Sequence, residues 1–308
     1  MTRESRPTVG IALLAYNYGQ YIDEALESLK NQTYQDFEVF LIDDGSNDGF
    51  TPEKLKNIEY DKITKKLLHK NNIGNARRRL GQYKIMNNKY ILDMSGDDCL
   101  APTFLEKTVT FLDSHPKYGA VCVDIEEYEN DFSTSPFTIF HYDRSKTKLP
   151  EMLSECHFLG SSLMRNKALK KTDLSGGFIR YQDWDRWISM LEAGWLLGVV
   201  SEPLFKYRVH SDSLSHSSTP EKETEVFRQI VKKHKVLYEK YFPEVTTALF
   251  YKFYEATASS TNIALENQAL IREIRALQTE NNSLRAKTLS FPRRILRKVR
   301  QLKNRTKH

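Results

Sequence analysis

The chain has 308 residues, 40% apolar and 28% charged, with a net charge of +6; that balance is globular, and no window approaches the ~20 apolar residues of a membrane span. Ten of the lysines and arginines, and no acid, fall within residues 285–308; without them the rest of the chain carries −4, so the basicity belongs to a tail and not to a nucleic-acid-binding core. Three widely spaced cysteines, Cys99, Cys122 and Cys156, point to a reducing compartment and away from a disulfide framework or a zinc site, and the short N-terminal apolar run lacks the cleavage site of a signal peptide.

Thr8 to Ala15 is a near-continuous apolar run, the pattern of a strand buried on both faces of a parallel sheet. After Tyr16-Asn17-Tyr18-Gly19, apolar residues at Ile22, Ala25, Leu26 and Leu29 predict a helix. Phe37 to Ile42 predicts a second strand ended by Asp43-Asp44-Gly45, residues 53–58 a short helix, and Lys66 to His69 a weak third strand. Asn71 to Gly74 opens a helix carrying Arg77, Arg78 and Arg79. Tyr90 to Met94 predicts a fourth strand, Pro102 to Leu112 a helix, and Ala120 to Val123 a fifth strand. Strands alternating with helices in this way imply a mostly parallel α/β sheet, whose ligands bind beyond the carboxyl ends of the strands.

The polar breaks all fall at that edge: Tyr16-Asn17, Asp43-Asp44, Asn71 to Gly74, and Asp97-Asp98. Any one alone reads as a solvated turn. Together they describe a site, and adjacent carboxylates such as Asp97 and Asp98 suit a divalent cation holding a phosphate-bearing substrate. Neither a dinucleotide fingerprint nor a P-loop follows the first strand.

Pro7–Asn17 (PTVGIALLAYN), Ile42–Gly49 (IDDGSNDG), Asn71–Gly81 (NNIGNARRRLG) and Ser95–Asp98 (SGDD), in this order and spacing, resemble a family 2 glycosyltransferase of the GT-A fold over roughly residues 7–215. The resemblance implies an inverting enzyme with a UDP-sugar donor and Mn²⁺ or Mg²⁺. It implies donor contacts from Leu14, from Tyr16 stacked on the uracil, from Asp44 on the uracil imide, from Arg78 (or Arg77 or Arg79) on the diphosphate, and from Asp97. It also implies metal ligation by Asp98 and by His210 of the Tyr207-Arg208-Val209-His210 segment. Asp183, followed by Trp184, stands where the family has its general base. A plain helix N-cap is the competing reading of that residue. Asp93 reads as structural, and His157 to Arg165 resembles an acceptor-side strand. Two positions depart from the family pattern: Ser95 where an Asp is commoner, and Gln182 in place of Glu. They leave a degenerate scaffold that dimerises at the membrane as the alternative.

The domain plan is a catalytic domain over 1–218, a helical extension over 219–261, a coiled coil over 262–290 and a basic amphipathic tail over 291–308. The heptad of Ile263, Leu270, Leu277 and Leu284 with Asn267 and Asn281 implies a homodimer, and the tail implies binding to an anionic membrane surface from the cytoplasmic side. The acceptor implied is a glycan, lipid-linked. No nucleic-acid partner is expected.

Overall fold

Apolar continuity sets the centre of the molecule. In the computed structural model, which describes residues 7–74, 78, 81–173, 180–210, 219–258 and 272, β1 (Val9–Ala15) and β2 (Phe37–Asp43) are buried at every position. Helix α1 (Ile22–Lys30) lies between them in the chain and buries Ile22, Ala25, Leu26 and Leu29, the four residues its spacing predicts. Helix α2 (Thr51–Asn57) leads to β3 (Ile63–Leu68), and β4 (Tyr90–Ser95) follows. These strands form a parallel half-sheet in the order β3-β2-β1-β4. The third strand begins three residues before its predicted start. Its alternating exposed lysines mark an edge position, where a weak apolar signal is normal.

The other half adds short antiparallel pairings to this mostly parallel sheet. β8 (Leu163–Arg165) is antiparallel to both β4 and β6 (Tyr118–Glu129). β6 runs parallel to β9 (Leu196–Val209), and two short strands, β5 (Cys99–Leu100) and β7 (Thr138–Phe140), pair antiparallel with β9 and β6. Nine strands among the described residues thus make one mixed sheet. The β6–β9 register slips on both sides of Asp124, opposite Pro203. A proline cannot donate to the ladder, and a bulge is where a sheet tolerates one.

Helices α3 (Phe104–Ser114), α4 (Glu151–Ser154), α5 (Asn166–Leu169) and α6 (Gln182–Glu192) cover the sheet. Helices α7 (Pro220–Lys233) and α8 (Lys235–Lys240) follow. The chain divides into two compact units, residues 1–245 and 246–308, so α7 and α8 belong with the sheet. In the second unit residues 246–258 are helical; the heptads over 262–290 and the basic tail lie outside the described residues. No helix among the described residues is long and apolar enough to cross a membrane.

Helix α6 is buried from Trp184 to Met190, including two charged residues that need partners. Arg186 pairs with Asp93 of β4 at 2.5 Å, and Tyr83 donates its hydroxyl to the same carboxylate. Burial opposes the Arg186 charge, but Tyr83 and Asp93 more than offset it and hold the guanidinium above the usual arginine range. Asp185 accepts from His234 and Lys233 of the α7–α8 corner, each at 2.8 Å. Trp184 donates to the Met152 carbonyl at 2.6 Å and stacks on Phe227. Asp93, read as structural from sequence, is the anchor that fixes α6 on the sheet.

Asp93→Ala is expected to cost about 3–5 kcal/mol in urea unfolding, because it leaves the Arg186 charge buried and unpaired. The double variant Asp93→Ala/Arg186→Met should regain part of that loss. A single-variant cost below about 1 kcal/mol would show that the pair does not hold the helix.

Candidate functional site

Three loops at the carboxyl ends of β1, β2 and β4 build the first part of the site. Asn17 adopts a left-handed backbone at φ 59°, which turns the chain sharply out of β1. Its amide donates to Ser46 Oγ at 2.9 Å, and its side chain exchanges two bonds with Asn47. Ser46 in turn donates to Asp43 through both its amide and its hydroxyl. Asp43 therefore supports the loop. Gly45, at φ 75°, passes so close to Asn71 and Asn72 that a Cβ would lie 2.4 Å from a backbone carbon. Only glycine fits.

Asp44 is fully buried beside that contact. Its Oδ1 accepts from Arg78 Nε at 2.7 Å and from the Ile73 amide at 3.2 Å, while Arg78 Nη2 donates to the Asn71 carbonyl. The resemblance assigns Asp44 to a base edge and Arg78 to a diphosphate; the structure joins the two in one ion pair that clamps the Asn71–Gly74 loop. Arg77 and Arg79 lie outside the described residues. Tyr16 is half-buried at the end of β1. The Leu14 side chain is in the core, and its carbonyl accepts from the Gly96 amide at 2.8 Å.

The Ser95–Asp98 turn is held by β9. Arg208, 2% exposed, donates from its amide to Asp98 Oδ1 at 3.1 Å and from Nε to the Asp97 carbonyl at 2.9 Å. Its remaining nitrogens reach the Asn130 carbonyl and Glu24 of α1. The guanidinium lies between the rings of Tyr21 and Phe132, 4.5 and 4.0 Å from their centroids. His210 Nε2 meets Asp97 Oδ2 at 3.1 Å, and its ring contacts Tyr18 and Tyr21. Burial, followed by the Asp97 and Asp98 charges and a hydrogen bond to Asp97, pushes the Tyr18 phenol above the usual tyrosine range.

Two buried carboxylates and an imidazole therefore meet, with Asp97 Oδ1 buried and lacking a hydrogen-bond partner. An oxygen of that kind, on a hard acid ligand, suits Mg²⁺ or Mn²⁺. Among the described residues, however, no three His, Cys, Asp or Glu side chains already converge as a cage. Further ligands to a cation would come from substrate oxygens or water.

Asp183 comes to the same edge by a different route. β8 is antiparallel to β4 with Leu163 opposite Leu92, so the residues just ahead of Leu163 lie toward the carboxyl end of β4. Gly160 is one of them, and a Cβ there would stand 2.7 Å from Asp183 Oδ2. The carboxylate of Asp183 rests on the bare backbone of Gly160. Its Oδ1 accepts the Trp184 amide at 2.9 Å; Asp183 is the second residue of α6, the helix preceded by Tyr181 at φ 56°. Burial, with Asp183 as the next cause, holds the Cys156 thiol well above its ordinary value. The Tyr142 phenol is raised by burial and by Cys122, Cys156 and Asp183. The Asp183 carboxylate is thus placed by Gly160 and the Trp184 amide, and its charge is felt by Cys156, Tyr142 and Arg186. The N-cap reading of Asp183 does not apply: the N-cap residue is Tyr181.

Asp97, Asp98 and His210 are brought together, as are Asp44 and Arg78; Asp183 stands across the edge of the sheet from them. Sequence reasoning missed the roles of Arg208, Tyr18 and Gly160. The Arg208 signal lay in the Tyr207-Arg208 pair, since an arginine near the end of a strand, once buried, needs acceptors for its donors. The Gly160 signal needs a partner 23 residues away and is invisible locally.

The profile of the glycosyl transferase family 2 domain matches residues 11–178, more than half of the chain. An uncharacterised glycosyltransferase of Methanocaldococcus jannaschii is 26% identical over 211 residues, which cover 66% of this chain and 71% of that protein. The Escherichia coli UDP-Glc:alpha-D-GlcNAc-diphosphoundecaprenol beta-1,3-glucosyltransferase WfaP is 26% identical over 74% of this chain and 85% of its own. The structure of S. aureus TarS 1-349 in complex with UDP-GlcNAc superposes with a TM-score of 0.57 at 20% identity, over 73% of this chain and 65% of that one; of the longer TarS chain the match spans 39%.

Arg208→Lys is expected to lower stability by about 2–4 kcal/mol in urea unfolding, because an ammonium cannot serve several acceptors in a fixed fork. A change within about 0.5 kcal/mol would show that the turn does not depend on the guanidinium.

Proposed function

The chain belongs to glycosyl transferase family 2 and has the GT-A fold, and from that premise we propose that it is an inverting glycosyltransferase that moves a sugar from a UDP-sugar to a lipid-linked glycan acceptor in the synthesis of a surface glycan. The observation that supports this reading is the meeting, at one sheet edge, of the Tyr16–Asp44 loops, the Asp97–Asp98–His210 cluster and the Asp183 carboxylate on Gly160. The first group suits a nucleobase, the second a diphosphate, and the third a hydroxyl that must lose a proton.

In this reading Tyr16 offers a ring face to the uracil. The Asp44–Arg78 pair fixes the Asn71–Gly74 loop that closes the base pocket. Asp98 and His210 are the residues that would hold a divalent cation, which when bound would supply Lewis acidity to the departing diphosphate. Asp183 accepts the proton of the acceptor hydroxyl as its oxygen forms a bond to the anomeric carbon. The bond from that carbon to the phosphate oxygen breaks, UDP leaves with the electron pair, and the configuration inverts. WfaP is named for a GlcNAc-diphosphoundecaprenol acceptor, and we take a sugar-diphospholipid as the acceptor class here as well.

UDP titrated calorimetrically into the protein should bind with Mn²⁺ and bind much more weakly with EDTA or in Asp98→Ala. Asp183→Asn should keep UDP binding while transfer to a GlcNAc-diphospholipid falls by roughly 10²–10⁴. Transfer unchanged in Asp183→Asn would remove the base assignment, and UDP binding indifferent to both metal and Asp98 would remove the cation.

Gly160→Ala should displace Asp183. We expect kcat to fall about tenfold or more, with UDP affinity unchanged. An unchanged kcat would show that the contact does not place the carboxylate.

A further inference from the structure

Tyr181 is the one aromatic residue with a left-handed backbone among the described residues, at φ 56°. The other non-glycine cases, Asn17 and Asn130, tolerate that region because a short amide side chain bonds locally. A bulky ring has no such compensation, and its conformation persists only where the surroundings over-determine it. Tyr181 is also the N-cap of α6, two residues ahead of Asp183. Its backbone sets where the helix starts and in which direction the Asp183 side chain leaves it.

The surroundings that hold Tyr181 belong to α7 and the α7–α8 corner. Tyr181, Trp184 and Asp185 stand at the i, i+3 and i+4 positions of one helix face, and each meets these helices. Glu223 of α7 accepts the hydrogen bond of the Tyr181 hydroxyl and pairs with Arg180 Nε at 3.3 Å. Burial, followed by Glu223, pushes the Tyr181 phenol up to about 12. Phe227, one turn beyond Glu223, stacks on the Trp184 ring with centroids 5.6 Å apart. Lys233 and His234 close on Asp185, each at 2.8 Å, and the second ring nitrogen of His234 meets Glu192 at the last residue of α6.

Arg180, Tyr181, Trp184 and Asp185 are thus tied to α7–α8, while the carboxylate among them is directed the other way, onto Gly160. The first turn of α6 is gripped on one side and presents its acid on another.

We propose that Glu223 is a positioning residue for Asp183: by holding Tyr181 in its left-handed turn it fixes the start of α6, and α7–α8 is the clamp that keeps the carboxylate at the Gly160 edge. Glu223 touches no reacting atom; it acts through Tyr181 and the helix. The two helices after the sheet are then part of the transfer machinery. That consequence rests on the proposed glycosyl transfer; the hold on α6 does not.

The test follows, in the full chain, transfer from UDP-hexoses to a GlcNAc-diphospholipid, calorimetric UDP affinity, and amide hydrogen exchange over residues 180–190. Glu223→Ala should lower kcat about tenfold or more, with the KM for the donor and the affinity for UDP unchanged. Exchange in the first turn of α6 should speed up by about tenfold or more. Glu223→Gln keeps an acceptor oxygen of the same shape and should recover kcat to within about threefold of the parent. Because Glu223 acts through Asp183, Glu223→Ala should cause no further loss in an Asp183→Asn background. A full additional loss there, or an unchanged kcat or exchange rate in Glu223→Ala alone, overturns the proposal. Lost UDP affinity in Glu223→Ala overturns it as well, since the residue would then serve the fold at large. Transfer kept in Asp183→Asn removes the base and this proposal with it, whereas transfer lost in Asp183→Asn and kept in Glu223→Ala removes the positioning alone.

Discussion

The Asp97–Asp98 turn depends on Arg208 being buried and fully engaged. Two adjacent carboxylates removed from water repel one another and lose solvation that only good donors replace. Arg208 supplies a backbone amide to one residue of the pair, a guanidinium hydrogen bond to the carbonyl of the other, and a tie to Glu24 of α1. The same solution recurs twice. Arg78 pairs with Asp44 at the end of β2, and Arg186 with Asp93 within β4. Asp44 and Asp93, withdrawn from solvent, are each matched to a planar, permanently charged fork that also bonds a neighbouring group. An acidic edge can be built this densely because its counter-charges are internal.

This arrangement divides the edge into two parts of different character. Around β1, β2 and β4, loops are locked to one another by Asn17, Ser46, Asn47 and the Gly45 contact, so that region is preorganised. Around β6 and β8 the pairing is antiparallel, β6 bulges against β9, and the Asp183 carboxylate rests on Gly160 without a lysine or arginine at salt-bridge distance among the described residues. A rigid nucleotide and a variable acceptor would place those two demands on a sheet. Asp93 links the halves mechanically, since it sits four residues ahead of Asp97 on β4 and holds Arg186, three residues beyond Asp183.

The parallel half of the fold was legible because buried strands and amphipathic helices write their pattern locally. Thr8–Ala15, Phe37–Ile42 and the α1 face could be read almost residue for residue. The candidate acids Asp44, Asp97 and Asp98 could be singled out for a related reason: they follow the ends of buried strands. What was not legible depended on contacts distant in sequence. β8 is three residues long, within a stretch whose apolar pattern suggests a longer strand, and only its two neighbours fix its limits. β9 holds the same β-rich run as the Tyr207–His210 segment, yet its extent follows from pairing with β6 across a bulge. Arg78 was the best match among three adjacent arginines for a diphosphate contact; that it spends Nε on Asp44 required the fold.

The long pairing of β6 with β9 also bears on how the molecule comes to exist. Residues 118–129 must find partners at 196–209, the last strand to leave the ribosome among the nine described, whereas β1, β2, β3 and β4 meet through short crossovers made much earlier. Contacts of such separation form slowly, because the intervening chain must be ordered before they reward it. Until then the Asp97–Asp98 turn lacks Arg208, and the two carboxylates stand side by side without it. The parallel half is complete in sequence long before its acidic turn gains its donors, and the arrival of one arginine finishes that edge of the sheet.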